Sequence, residues 1–251
     1  MTAPVQPFSM PPEAAAGTPD HDGSALDRIG AIQRETLGER VTGELRALLV
    51  AGRLAPGEKL SLRRVAEALG VSMMPVREAV SRLAADRALE VLPGRAVRVP
   101  VLTLAQFREL TRLRLVVEGF AAEEAARKAT PQDIARVTSY DAAFRKAASA
   151  DPPDSAGAVA ANRDLHFALY EAAGMPGLIE MIERLWLKAG PILNIDMRDE
   201  PRRLKGGSAM QAHARLLDAL RSQDAAAARA ALEDDIAAAA THIEETGQLS
   251  A

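Results

Sequence analysis

Four polar residues stand in stretches otherwise built from Ala and Leu: Asn162, His166, His213 and Asp235. Asn162 and His166 are four residues apart, so a helix sets them on one face. A break at Gln223-Asp224 separates His213 from Asp235. Each lies about ten residues from it, so at ~1.5 Å per residue antiparallel helices would bring the two level. Polar groups projecting inward from facing helices are how bundles build ligand and metal sites. Two imidazoles, a carboxylate and an amide oxygen can hold Zn²⁺, Mn²⁺ or Ni²⁺, although the neutral amide is a weak donor. The competing reading is a set of buried histidines satisfied by hydrogen bonds.

A second set is suited to a polyanion. The segment "LGVSMMPVREAVSRL" reads from Val76 as an amphipathic helix with Arg77 off its apolar side. Ser72 precedes it as a cap and phosphate donor, and Met73 and Met74 stand at its start. Arg63 lies near the beginning of the preceding helix, and Gly94 and Arg95 lie at the tip of a β-turn. Each arginine alone fits a solvated surface. Together, in this order of elements, they fit contact with DNA phosphates and base edges.

The elements that must position these residues follow from periodicity. Residues 1–30 are rich in Pro, Ala, Gly and Asp without a period and read as a disordered tail. Leu37, Val41, Leu45, Leu48 and Leu49 mark a first helix. Leu62, Val65, Ala66 and Leu69 mark a second, with Ser61 as cap and Gly70 as stop. Val76, Ala79, Val80 and Leu83 mark a third. In "LEVLPGRAVRVPV" two alternating segments flank Pro93-Gly94, which is a β-hairpin. Helix, helix-turn-helix and hairpin in this order make a winged helix over 31–102. From 103 to 246 the pattern is helical throughout. Helices are expected at 104–128, 132–149, 156–174, 177–197, 207–222 and 224–246. The expected fold is mainly α: an N-terminal winged helix-turn-helix with a small β-hairpin, then an all-α bundle of about six helices.

Charge and composition agree. Residues 31–100 carry 12 Lys/Arg against 8 Asp/Glu, whereas residues 101–251 carry 18 against 22, so the positive charge is confined to the winged helix. There is no cysteine, which excludes disulfides and thiolate metal sites and suits a reducing cytoplasm. No apolar run approaches a membrane span, so the expected location is cytoplasmic.

The segments "GRLAPGEKLS", "VAEALGVS", "PVREAVSRL" and "ALEVLPGRAVRV" resemble the DNA-binding domain of the GntR family of bacterial transcription regulators. "ELTRLRLVVEGFAAEEAA", "ANRDLHFALYEAAGMPGLIEMIERLW" and "HARLLDALRSQDAAAARAALEDDI" are similar to the FCD ligand-sensing domain of its FadR subgroup. The resemblance implies a homodimer on an inverted-repeat operator. It also implies a small carboxylate effector and, in many members, a divalent metal held by one Asp and three His. The family's Asp is Asn162 here, and its last His is Asp235. Arg114 matches a family arginine that often faces the effector, and Glu118, four residues on, is an alternative partner. The family usually carries Arg and Thr where this chain has Met73 and Met74. That implies less dependence on guanine and apolar contact with thymine methyls, unless the methionines pack within the protein. The function expected is a DNA-binding transcriptional regulator, most simply a repressor, controlled by an organic acid. A metal-dependent helical hydrolase or lyase using the polar cluster is the alternative, as is an architectural DNA binder without an effector.

Overall fold

The computed structural model describes residues 36–199, 207–245 and Leu249. The expected tail at 1–30 lies outside the described residues. Among the described residues there are nine α-helices and a small sheet. No described helix is long and apolar enough to cross a membrane.

The N-terminal part runs α1 (Leu37–Val50), β1 (Lys59–Leu60), α2 (Leu62–Leu69), α3 (Met73–Ala85), β2 (Glu90–Val91), a single 3₁₀ turn (Pro93–Arg95) and β3 (Val97–Arg98). Local chemistry sets the boundaries. Thr36 and Glu39 form a capping box on α1. The Ser61 hydroxyl accepts from Arg64 N on α2, and Gly70 ends α2 in the left-handed region at φ 62°. Helix α3 starts at Met73, directly after the expected Ser72 cap. Extended Ser72 is its N-cap, and Pro75 falls in the first turn, where a missing N–H costs nothing. The expected hairpin is present and gains a third strand: β3 pairs antiparallel with both β2 and β1. β1 is only two residues long, too short to show alternation.

The C-terminal part runs α4 (Leu104–Lys128), α5 (Pro131–Ser149), α6 (Ser155–Ala172), α7 (Pro176–Asp199), α8 (Ser208–Ser222) and α9 (Ala225–Glu245). The expected six helices are all present, with ends shifted by at most two residues. Capping boxes at Thr103/Gln106 and Thr130/Asp133 fix the starts of α4 and α5. The bundle core is alanine-rich and closes around Leu165, Leu169, Tyr170, Trp186, Leu216, Leu220 and Leu232.

The winged helix does not close its own core. Leu187 of α7 is buried among Val41, Leu45, Leu49, Val76, Val80 and Leu83. Gly190, one turn further along α7, lies against the backbone of α1; a Cβ there would stand 2.5 Å from the Leu49 carbonyl oxygen. Arg46 of α1 pairs with Glu183 of α7 at 2.9 Å.

Candidate metal and nucleic-acid sites

A buried polar chain crosses the bundle. It starts at Arg114 of α4, whose Nε and Nη2 donate to Glu118 at 2.6 and 3.1 Å. Both side chains are buried. Tyr170 Oη donates to Glu118 Oε2 at 2.5 Å and lies 2.9 Å from His166 Nδ1. Burial and the Glu118 charge push the Tyr170 hydroxyl well above its ordinary value of 10, so it keeps its proton. The carboxylate can only accept, so Tyr170 donates to Glu118 and accepts from His166 Nδ1–H. That places a proton on His166 Nδ1, and Nε2 on the other side of the ring pairs with Asp235 Oδ2, 3.1 Å away.

His213 of α8 is wired the same way. Its Nδ1 lies 3.2 Å from Asp141 Oδ1, and Asp141 also accepts from Arg145 Nε at 2.6 Å. Burial alone would raise the Asp141 carboxyl, but its hydrogen bonds to His213 and Arg145 hold it below the ordinary range. An ionised Asp141 takes the Nδ1–H and leaves His213 Nε2 with a lone pair. That Nε2 is buried and has no hydrogen-bond partner. The Asp235 carboxyl follows the same pattern: burial raises it, but the His166 hydrogen bond and the charges of His213, His166 and Arg114 together bring it down.

One ligand atom each from His166, His213 and Asp235 therefore lies within 4.8 Å of the others. The His166 Nε2–Asp235 hydrogen bond needs a proton on Nε2; a divalent cation would take that proton's place, and two imidazole nitrogens and a carboxylate, each imidazole held from behind through its Nδ1–H, form a donor set that fits it. The orphaned His213 Nε2 is the observation that decides the fit. The fourth expected ligand, Asn162, lies one turn before His166 on α6 and is half-buried. No hydrogen bond joins it to either histidine or to Asp235.

Arg114 is placed beside this cluster, with its guanidinium 5.1 Å above the Trp186 ring. Burial opposes its charge, and Glu118 more than offsets that. Glu118 takes two of its donors, the alternative partner that the sequence offered. Trp186 also packs on His166, with ring centroids 5.6 Å apart, and its Nε1–H is buried without an acceptor.

Sequence reasoning missed Tyr170, Asp141 and Trp186. Two signals were available. Tyr170 is four residues after His166. Asp141 interrupts the buried stripe Val137, Phe144 and Ala148 on α5. Trp186 gave none.

On the winged helix the structure divides the two methionines. Met73 is half-buried and packs on the winged-helix core, whereas Met74 is 73% exposed. The Ser72 hydroxyl makes no capping bond and is exposed. Arg77 is exposed. Arg63 is exposed but pairs with Glu67 at 2.9 Å. Gly94 turns the hairpin tip at φ 80°, and the side chain of Arg95 lies outside the described residues. Arg64, exposed beside Arg63, is a further cation on this surface.

The sequence matches two family models in the same order as these parts: "Bacterial regulatory proteins, gntR family" over residues 37–99, and the FCD domain over residues 109–238. The chain belongs to the GntR family. It is 36% identical over 165 residues to the HTH-type transcriptional regulator McbR of Escherichia coli K12, which spans 66% of this chain and 74% of that protein. The solved structure of E. coli McbR/YncC superposes with a TM-score of 0.78 at 31% identity, covering 85% of this chain and 99% of that one. A GntR regulator from Rhodococcus sp. RHA1 gives 0.67 at 27% identity, covering 83% and 97%. The gluconate operon transcriptional repressor of Bacillus licheniformis is 33% identical over 96 residues, 38% of this chain and 39% of that protein. This GntR chain is thus a DNA-binding transcriptional regulator with an FCD ligand-binding domain. The comparisons give no support to a hydrolase or lyase.

Proposed function

We propose that this GntR regulator represses by gripping an inverted-repeat operator as a homodimer, and that a small carboxylate at the His166/His213/Asp235 cluster alters that grip. Helix α3 enters the major groove. Arg77 and the free Ser72 hydroxyl meet phosphate or base edges, and Gly94 lets the wing approach the backbone. Met74 is the methionine available to a thymine methyl. Met73 holds α3 onto its own domain.

His166, His213 and Asp235 would hold one Zn²⁺, Mn²⁺ or Ni²⁺. A bound ion supplies positive charge and an open coordination position for a carboxylate. The chain's own residues do the rest. Tyr170 and Asp141 fix both imidazole tautomers, and Glu118 keeps Tyr170 a donor. The unpaired Trp186 Nε1–H and the Arg114 edge not taken by Glu118 are donors left over for an organic anion. The orphaned His213 Nε2 carries this reading, because a buried imidazole with a free lone pair needs a partner.

Helix α7 supports a route outward. Trp186 faces His166, and the next residue, Leu187, fills the winged-helix core. A shift of α7 around Trp186 would move Leu187 and Gly190 against α1, and so change the spacing of two paired winged helices.

The test is a thermal-shift screen of Zn²⁺, Mn²⁺ and Ni²⁺ with and without small organic acids, since a ligand of the native state raises its Tm. The metal should raise Tm, and one class of acid should raise it further only with metal present. Equal responses in His166→Ala and His213→Ala would refute the site. Loss of DNA affinity with the stabilising acid would confirm the regulatory link.

A further inference from the structure

Helix α7 turns different residues to the two halves of the molecule. Ile182 and Trp186 lie in the bundle core, and Trp186 packs on His166. Glu183, Leu187 and Gly190 recur at spacings of four and three, so they share another face. Each meets the winged helix: Glu183 at Arg46, Leu187 in its core and Gly190 at the backbone of α1. The space left among Ala88, Val99, Leu102, Leu187 and Pro191 is about 10 Å³, hardly room for one water, so this joint is closely packed.

Arg46 reaches past α7. Its Nη2 donates to Glu183 Oε2 at 2.9 Å, and its Nη1 lies 3.7 Å from Asp86 Oδ2. Asp86 is the C-cap of α3. A carboxylate there has the wrong sign for the helix dipole, so a nearby cation has to offset it. One guanidinium thus spans two carboxylates, one on the bundle and one at the foot of the helix that carries Met74 and Arg77. The three side chains are between 27 and 41% exposed, so these pairs add little to stability. What they fix is direction. Leu187 and Gly190, three residues apart, form a pivot by themselves. Glu183, ~10 Å from Gly190 along α7, is a second point that stops the winged helix from turning on it.

We infer that Arg46 is a positioning residue for DNA binding: its clasp on Glu183 and Asp86 sets the angle at which the bundle presents α3. This rests on the reading that α3 lies in the major groove and that α7 leads outward from the polar cluster, and it adds the residue that holds the two together. Arg46 acts through α3 and not by touching DNA. The two-ended reach belongs to the planar fork of arginine; a lysine keeps the charge but has a single point to offer.

The full chain is tested in two arms. First, the chain has no cysteine, so Ser81→Cys on α3 and Lys146→Cys on α5, both at exposed positions, can carry spin labels. Labelled chain is diluted with unlabelled chain, so that distances are read within one molecule. The otherwise native chain should give one narrow distance distribution. Arg46→Ala and Arg46→Lys should each broaden or shift it, with Tm little changed. Glu183→Gln should do the same alone and add nothing once Arg46 is replaced by Ala. Second, unlabelled chains are titrated onto an inverted-repeat duplex from the chain's own upstream region, and onto the same duplex with two base pairs inserted between the half-sites. The insertion should cost the native chain ~tenfold or more in affinity, about the loss of one base contact. Arg46→Ala should lose much less, because a loosened winged helix can follow its half-site. A broad distribution in the native background, an unchanged one in Arg46→Ala, or equal losses on the longer duplex would each overturn the positioning role. Should Arg46→Ala fail to fold, Glu183→Gln, at a side chain 41% exposed, carries both arms. If the chain binds neither duplex, the regulator reading falls and the DNA role of Arg46 with it, while the spin labels still report whether the clasp sets the angle.

Discussion

Replacing Tyr170 with Phe deletes one oxygen from the middle of the polar chain and almost nothing else. The hydroxyl donates to Glu118 at 2.5 Å and accepts from His166 Nδ1 at 2.9 Å. Tyr170 and Glu118 are 0% exposed and His166 2%, so water cannot take its place. Glu118 keeps both donors from Arg114 and is not stranded. His166 Nδ1–H is stranded, and an unpaired buried donor costs ~1–3 kcal/mol. The missing bond to the Glu118 carboxylate adds ~1.5–3 kcal/mol. A loss of ~2–5 kcal/mol is large against a typical total of ~5–15 kcal/mol but leaves a folded protein. It is read by urea unfolding, with Trp186 as the single fluorophore of its kind in the chain. The partner that fixes the His166 tautomer is also gone, so Zn²⁺ should bind ~10- to 100-fold more weakly in competition with a chromophoric chelator. A stability change under ~0.5 kcal/mol would show that the hydroxyl is not wired as described. A large stability loss with unchanged Zn²⁺ affinity would show that Tyr170 is core packing and not a support for the ligand.

Other perturbations test other links. Gly190→Ala places a Cβ 2.5 Å from Leu49 O and 2.8 Å from Val50 O. It should cost ~1–3 kcal/mol by forcing α1 and α7 apart and should blunt any effector-induced loss of DNA binding; an effector response of native size would refute α7 as the route. Arg77→Ala should weaken operator binding and flatten the line of log affinity against log salt by ~1 for each phosphate that is no longer neutralised; an unchanged slope and affinity would remove Arg77 from the interface. The Thr130 hydroxyl and N–H hold the Asp133 carboxyl below its ordinary 3.8. Its folded-state pKa is depressed, so its contribution is present above that ordinary value and fades as pH falls through the folded pKa. Asp133→Asn should therefore be less stable than the native chain near neutrality, with the gap narrowing in acid; a gap independent of pH would contradict this.

The sequence made the frame legible because caps and periods are local. Thr103, Thr130, Ser61 and Gly70 mark helix ends by side-chain chemistry that does not depend on the rest of the fold. The start of α3 at Met73 was legible through the Ser72 cap, and Pro75 in its first turn is compatible with the helix. His213 and Asp235 were legible because their spacing around the Gln223 turn makes them level, and His166 because it stands among Ala and Leu on a helix face of its own. Their supports were not: the distance from Glu118 to Tyr170 is 52 residues in the chain, and from Asp141 to His213 it is 72. Only packing of α4 on α6 and of α5 on α8 brings those pairs together. Met73 and Met74 are adjacent in sequence, but a helix turns successive residues by ~100°, and that rotation alone puts one on the core and the other in solvent.

The most direct measurement is fluorescence anisotropy of the native chain on a duplex from the region upstream of its own gene, titrated with salt. Tight binding at low salt is expected, with log affinity falling linearly in log salt and a scrambled inverted repeat binding far more weakly. An affinity indifferent to salt, or no binding at low salt, would contradict an Arg77-bearing helix lying on DNA.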